Sequence, residues 1–127
     1  MKKLAALTLV VLLAGCGGAP AATPTPSAAE SRIVTAAKAC PGARNAHGDG
    51  GKSMTLDTKG EDDRDGDTMA VVACYLRELE TPDYVIQHID STRSLDGQQT
   101  EEWDGIKARW TYHPNRGLII TLVDTAA

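Results

Sequence analysis

The stretch WDGIKARWTYHPNRGLIITL, residues 103–122, decides the fold of this chain. Large apolar residues alternate along it with polar ones, and this period of two is typical of half-buried β-strands. The Asp104-Gly105 pair is typical of a two-residue hairpin turn, which places Trp103 opposite Ile106. The stretch is therefore expected to begin with an antiparallel hairpin.

A second turn, HPNRG at residues 113–117, is expected to fold the chain back into a third strand. Counting outward from it predicts three further apolar pairs on one face of the sheet: Ala108 with Leu122, Trp110 with Ile120, and Tyr112 with Leu118. The opposite face is expected to carry polar side chains. On that side we take Lys107, Arg109 and His113 as a candidate interaction surface.

Two helical patterns lie upstream of this meander. The first helix is predicted over residues 28–39, opened by Ser27 and Glu30 in the spacing of a capping box. An apolar stripe at helical spacing predicts a second helix, with the members Met69, Val72, Leu76 and Leu79.

A third helix is predicted to open at Thr81, with Thr81 as the cap residue, Pro82 at the first helical position and Asp83 beside the positive helix end. A short strand is expected at residues 53–58, where Met54 and other apolar residues alternate with polar ones.

The composition leaves room for one modest domain. The chain has 127 residues, 42% of them hydrophobic, and Asp and Glu outnumber Lys and Arg by 17 to 13. The basic residues form no stripe, so the electrostatic footprint of a nucleic-acid-binding protein is missing. We therefore expect no nucleic acid among its partners.

The N-terminus is typical of an exported protein. Lys2 and Lys3 precede a short apolar run that ends in small residues, which is the layout of a secretory signal peptide. The sequence LAGC at residues 13–16 resembles the lipobox of bacterial lipoproteins, in which the cysteine is acylated and becomes the new N-terminus. This resemblance implies a signal peptide over residues 1–15, a lipid on Cys16, and a location on the outer side of the cell membrane.

The sequence divides into three parts behind this motif. The segment GGAPAATPTPS at residues 17–27 holds too little apolar surface to fold, so residues 16–27 are interpreted as the lipidated Cys and a semi-extended tether. The folded domain is expected over residues 28–127. The lipid anchor makes the membrane one partner, and no cofactor is expected.

Two thiols remain once Cys16 carries lipid. Cys40 and Cys74 are expected to pair as a disulfide, because an exported chain meets an oxidising compartment. A redox or metal pair is the alternative, but no C-x-x-C motif is present and no histidine stands at a ligand spacing. The chain is thus predicted to form a two-layer α+β domain: a three-stranded antiparallel meander plus a short N-terminal strand, packed on two or three helices and held by one disulfide.

The acidic segment at residues 61–67 offers carboxylates of the kind that Ca²⁺ prefers. The candidate ligands are Glu61, Asp63, Asp65 and Asp67. An EF-hand alignment fails at its last position, where Val72 replaces the bidentate glutamate. The simpler interpretation is a solvated loop in which Asp67 caps the second helix.

Catalytic candidates are few. His47, His88 and His113 are the imidazoles of the chain, and no G-x-S-x-G nucleophile motif accompanies them. A small hydrolase would need His88 or His113 to converge with carboxylates such as Asp90. Residues 46–53 fit a loose phosphate-loop pattern, but a strand pattern follows where that motif needs a helix.

The aromatic residues admit two interpretations. Trp103, Trp110 and Tyr112 share one face in the predicted register, so we interpret them as core, with stacking on the sugar rings of a cell-wall polymer as the alternative.

The rest of the domain resembles small uncharacterised exported lipoproteins over about residues 54–123, through W-D-G at Trp103 and W-T-Y-H-P at Trp110. That likeness implies no activity. A weaker likeness, in helix order and meander, is to small lipoproteins that help to assemble outer-membrane proteins. The sequence therefore favours a non-enzymatic envelope lipoprotein that binds a protein or cell-wall partner, with a small envelope enzyme or a Ca²⁺-stabilised module as alternatives.

Overall fold

The computed structural model describes residues 29–127, which fold as three α-helices and one four-stranded sheet. The predicted α+β class is confirmed, whereas the predicted signal peptide, Cys16 and the tether lie outside the described residues. In chain order the elements are α1 (Arg32–Ala39), β1 (Ser53–Asp57), α2 (Met69–Glu78), α3 (Asp83–Ser91), β2 (Gln99–Trp103), β3 (Ile106–His113) and β4 (Gly117–Asp124). Within residues 29–127 no helix is long and apolar enough to span a bilayer.

The sheet has the order β1-β4-β3-β2, and every neighbouring pair is antiparallel. The registers predicted from the two turns are confirmed, with Trp103 opposite Ile106 and Trp110 opposite Ile120. The upstream strand β1 joins the meander beside β4. The helices pack on one face of this sheet, so the fold has two layers.

The core lies between the helices and the sheet. Ile33 of α1, Val72 of α2 and Val85 of α3 are all buried there against the strands. The two tryptophans are also buried, and each finds a partner for its indole N–H: Trp103 Nε1 donates to Leu79 O at 2.9 Å, and Trp110 Nε1 donates to Thr92 Oγ1 at 2.9 Å.

The predicted disulfide between Cys40 and Cys74 is confirmed. The two Cα atoms are 5.7 Å apart, and the bond joins the end of α1 to the middle of α2. It closes a long loop across the helical layer.

Three helix starts differ from the prediction. Helix α1 begins at Arg32 instead of residue 28, with Ser31 as its cap, and Ser27 lies outside the described residues. Thr68, not Asp67, caps α2, and Pro82 rather than Thr81 occupies the cap position of α3. At α2 two adjacent polar residues satisfy the local pattern, and Arg44 N and Asp57 N engage the Asp67 carboxylate, which leaves Thr68 as the cap.

The start of α1 and the end of β4 are bound to each other. The carboxylate of Asp124 accepts hydrogen bonds from the Ser31 hydroxyl at 3.2 Å, from Arg32 N at 2.8 Å and from Ala126 N at 3.1 Å. Arg32 also donates to Asp104 O at 2.6 Å, in the turn between β2 and β3. We call this end of the sheet the closed end.

The outer edge of β1 is occupied by loops. Ser53 exchanges backbone hydrogen bonds with Gly48, and Thr55 O accepts from Asn45 Nδ2 at 2.8 Å. Asp57 O accepts from Asp67 N at 2.7 Å. Every second residue of this edge strand therefore has a partner on its outer side.

Candidate functional site

A cleft of about 660 Å³ opens at the end of the sheet opposite the closed end. Its walls come from residues 58–59, residues 66–69, the last turn of α3 and the start of β4, with the β3–β4 turn at the rim. Leu118 and Ile89 are buried and form apolar parts of the wall. We call this region the open end.

Tyr112 lies at the mouth of this cleft. It shares the core face of β3 with Trp110, as the register predicts, but it is 39% exposed. The interpretation of Tyr112 as core is therefore wrong, whereas that of Trp103 and Trp110 is confirmed. Alternation along a strand gives the face of a side chain but not whether a helix reaches far enough to cover it.

Three further side chains shape the mouth. Met69 is 54% exposed, and both Lys59 and Asp90 are exposed without an ion-pair partner among residues 29–127. The mouth thus combines one aromatic ring, one thioether, one ammonium group and one carboxylate. It can hold a ligand that has both an apolar face and hydrogen-bonding groups.

Asp67 fixes the loop that forms one wall. Its carboxylate accepts from Arg44 N at 2.8 Å and from Asp57 N at 2.9 Å, and only 3% of the residue is exposed. The predicted capping role of Asp67 is therefore wrong, because the carboxylate bonds to two distant segments and leaves α2 to Thr68.

The charge of Asp67 contributes to the pKa shifts of two neighbours. Burial first, and then the Asp67 carboxylate, raise the pKa of the Tyr75 phenol. Burial first, followed by the charges of Asp63 and Asp67, raises the pKa of Asp57 above its ordinary value of 3.8, while Arg116 opposes the shift. The open end thus contains carboxylates whose charges disfavour the ionisation of Asp57.

The four candidate Ca²⁺ ligands are not brought together. Asp65 pairs with Arg44 at 3.1 Å, Asp63 Oδ2 accepts from Gly60 N at 3.1 Å, and Glu61 is exposed. In the part of the chain that the structure describes, no three His, Cys, Asp or Glu side chains gather as a ligand set. Most of these carboxylates instead hold the loop in place.

The acidic loop is docked on the β3–β4 turn through its backbone. Glu61 N donates to Pro114 O and Asp62 N donates to Asn115 O, both at 3.0 Å. A Cβ atom at Gly60 would overlap the backbone of the facing turn, so only glycine permits this approach. The loop beside the cleft is therefore held against the β3–β4 turn.

The histidines do not converge with Asp90. His88 Nδ1 lies 2.9 Å from Glu101 Oε1, its Nε2 lies 3.2 Å from Gln99 Oε1, and its ring meets Trp110 edge-on with centroids 5.1 Å apart. His113 Nδ1 accepts from Asn115 N at 3.2 Å and thereby shapes its own turn. Asp90 lines the cleft, whereas His88 is used to support the sheet.

The candidate surface on β3 is exposed, as its register requires. Lys107 and Arg109 lie on the sheet face that no helix of residues 29–127 covers, and Lys107 Nζ pairs with Glu102 Oε1 at 2.8 Å. His113 is exposed at the end of the same strand. These three residues are strung along β3 and do not enclose a pocket.

The loose phosphate-loop pattern at residues 46–53 runs into β1 and not into a helix, so it lacks the helix N-terminus that such a motif requires.

The cleft was not predicted as a site, because four segments far apart in the sequence form it. One signal was present: Tyr112 stands near the end of a strand, beside a turn that contains proline and glycine. No family model, no curated protein and no solved structure matches this chain.

Proposed function

We propose that this chain is a lipid-anchored protein of the bacterial cell envelope whose folded domain is a binding module, with its ligand site in the cleft at Tyr112. The anchor is inferred from the leader and the LAGC motif of residues 1–16. The exposed ring of Tyr112 at the mouth of the cleft is the observation that carries the binding role.

The chemistry of the mouth favours the sugar rings of a cell-wall polymer. A tyrosine face packs well against the apolar face of a sugar. Beside it, the Asp90 carboxylate accepts hydrogen bonds from hydroxyl groups, and the Lys59 ammonium donates them. Neither charge is taken up by an ion pair within residues 29–127.

The position of the cleft suits a tethered protein. The described chain begins at the closed end, where Ser31 meets Asp124, and the cleft lies at the other end of β4. An eight-residue strand is roughly 25 Å long at about 3.3 Å per residue. A domain anchored through residues 16–27 would thus hold its cleft on the side away from the tether.

Binding to purified cell-wall sacculi tests the ligand site. The full chain carrying Tyr112→Ala should bind the sacculi roughly three- to tenfold more weakly than the unaltered chain in co-sedimentation, because the tyrosine ring that stacks on the sugar is lost. Tyr84→Ala is the matched control, since Tyr84 is 56% exposed on α3 and does not line the cleft. Equal binding by both variants, or no binding by the unaltered chain, would contradict the proposed ligand.

The anchor has its own test. Cys16→Ser should move the protein from the membrane fraction to the soluble fraction, because no acyl chains can attach. Mass spectrometry of the chain from the producing cell should show a mature N-terminus at a diacylglycerol-bearing Cys16. An intact, unacylated Met1 terminus would refute the lipid anchor.

A further inference from the structure

A second concavity lies between α2 and α3. It borders the cleft at Tyr112 and shares Met69, Ile89 and Asp90 with it, but Tyr112 does not line it. It encloses about 410 Å³, and its surface is mostly apolar. The apolar lining combines the exposed Met69 and the partly exposed Ile86 with side chains that are buried in the core, namely Val72, Leu76 and Ile89. We call it the α2–α3 groove. Two adjacent helices that leave such a groove are a common receptor for a third, amphipathic helix.

The rim of this groove is acidic. Glu80, Asp83 and Asp90 lie along it, and none of the three has an ion-pair partner among residues 29–127. Arg77 is the basic residue of the rim, and its guanidinium already contacts Glu78 at 3.7 Å. An occupant with basic side chains around an apolar stripe would therefore match the groove in both shape and charge.

Glutamate is an unfavourable residue at position 80, because of the backbone conformation and the helix dipole there. Helix α2 ends in a Schellman motif, in which Glu80 N donates to Arg77 O and Thr81 N donates to Leu76 O, both at 3.0 Å. Glu80 takes the left-handed position of this motif, with φ of 51°, where glycine is the favoured residue. Its carboxylate also stands at the negative end of the helix dipole. Both features disfavour glutamate for folding.

The next residue leaves a polar atom unused. Thr81 is only 9% exposed and lines the groove, and its hydroxyl Oγ1 has no hydrogen-bond partner among residues 29–127. It does not cap α3, because the cap position belongs to Pro82. A buried hydroxyl without a partner is unfavourable for folding, so Thr81, like Glu80, is not optimised for stability.

From these observations we propose that the α2–α3 groove binds an amphipathic helix with a basic flank, belonging to another protein. The apolar side of that helix enters between α2 and α3, and its Lys or Arg side chains face Glu80 and Asp83. This protein-binding surface adjoins the cell-wall site at Tyr112 and shares Met69, Ile89 and Asp90 with it, whereas Glu80 and Asp83 belong to the groove alone.

Two synthetic helices test the proposal. One carries Leu on one face and Lys on the other, and the second replaces every Lys by Glu. The receptor is the full chain with Cys16→Ser, which keeps acyl chains out of the assay, and binding is measured by fluorescence anisotropy of the labelled peptide. The Leu/Lys helix should bind at least about tenfold more tightly than the Leu/Glu helix.

Glu80→Gly separates binding from folding. The glycine relieves the left-handed backbone and removes the carboxylate, so the midpoint temperature should rise while affinity for the Leu/Lys helix falls about two- to fivefold. Adding Asp83→Asn should bring the loss to about tenfold. Thr81→Val should likewise raise the midpoint temperature of unfolding, because it removes the buried hydroxyl that has no partner.

Asp104→Gly is the matched control. Asp104 is also an exposed acidic residue with positive φ, 41°, but it lies in the β2–β3 turn at the closed end. Its replacement should leave peptide affinity unchanged. An equal loss from Glu80→Gly and Asp104→Gly, or no loss from the Glu80 and Asp83 pair, would overturn the proposal. Tyr112→Ala should not affect peptide binding, so failure of the cell-wall site remains distinguishable.

Discussion

The two ends of the sheet shift the pKa of a carboxylate in opposite directions. At the closed end burial alone would raise the pKa of Asp124, but hydrogen bonds from Arg32 N, Ala126 N and the Ser31 hydroxyl, with the Arg32 charge, hold the pKa below its ordinary value of 3.8. At the open end the pKa of Asp57 is raised instead, by burial and by neighbouring carboxylates. The charge of Asp124 stabilises the folded state at the closed end, whereas the charge of Asp57 is disfavoured at the open end.

This contrast separates stability from binding along one sheet. The closed end fastens the first helix to the last strand, so its carboxylate holds together the two ends of the described chain. The open end holds clustered carboxylates, an exposed tyrosine and the cleft. Sites that bind ligands commonly retain such unfavourable features, because optimal packing would leave nothing for a ligand to contact.

The largest expected effect comes from the disulfide, which links the end of α1 to the middle of α2. The Cys40→Ala, Cys74→Ala double variant should lose about 4 kcal/mol of unfolding free energy, because a cross-link 34 residues apart restricts the unfolded chain. Urea unfolding measures the loss. Chemical reduction of the unaltered chain should give the same midpoint as the double variant, and an unchanged midpoint would refute the effect.

Asp124→Asn should be the next largest change and tests the closed end directly. The amide replaces a charged acceptor of three hydrogen bonds, so about 2 kcal/mol of stability should be lost at neutral pH. Because the folded pKa is lowered, the carboxylate stabilises above 3.8, and its contribution disappears as the pH falls through the folded pKa. The variant and the unaltered chain should therefore converge in acid, whereas a constant gap would contradict this account.

Thr92→Val tests the support under the cleft. The Thr92 hydroxyl accepts from Trp110 Nε1 at 2.9 Å and donates to His88 O at 2.7 Å, so valine leaves a buried indole N–H without a partner. A loss of roughly 1–2 kcal/mol is expected in thermal unfolding. Thr92→Ser keeps the hydroxyl and serves as the control, so equal losses for both variants would assign the effect to packing alone.

Asp57→Asn should produce the smallest change, and with the opposite sign. An acid whose folded pKa is raised destabilises the folded state at neutral pH, and this penalty disappears as the pH falls below 3.8. The amide removes the penalty, so stability at neutral pH should rise, by no more than about 0.5 kcal/mol for an exposed residue. A clear decrease in the midpoint temperature of unfolding would contradict the proposed difference between Asp57 and Asp124.

The sequence predicts the meander well because two local signals agree there. The Asp104-Gly105 turn fixes the first register, and the alternation of apolar residues excludes a one-residue slip. The disulfide follows from counting cysteines, since Cys40 and Cys74 have no other partner once Cys16 is set aside. Each of these predictions depends on few residues that are close in sequence or unique in kind.

The open end was missed because distant contacts decide it. Asp67 and Thr68 are both suitable cap residues for α2. Arg44 N and Asp57 N donate hydrogen bonds to the Asp67 carboxylate, so Thr68 is left as the cap. Similarly, the sequence predicts Thr81 as the cap of α3, yet its hydroxyl has no hydrogen-bond partner among residues 29–127. Local patterns do not show which of two adjacent polar residues a remote segment will engage.

The occupied edge of β1 has a consequence for how copies of this chain behave when they are crowded. An unpaired strand edge is a template on which further chains polymerise. Loops already form hydrogen bonds with Ser53, Thr55 and Asp57 on that side. The remaining sheet edge is β2, a five-residue strand that carries two adjacent glutamates. Like charges and shortness both discourage docking there. The domain can therefore be packed densely, side by side, without its sheet growing from one molecule into the next.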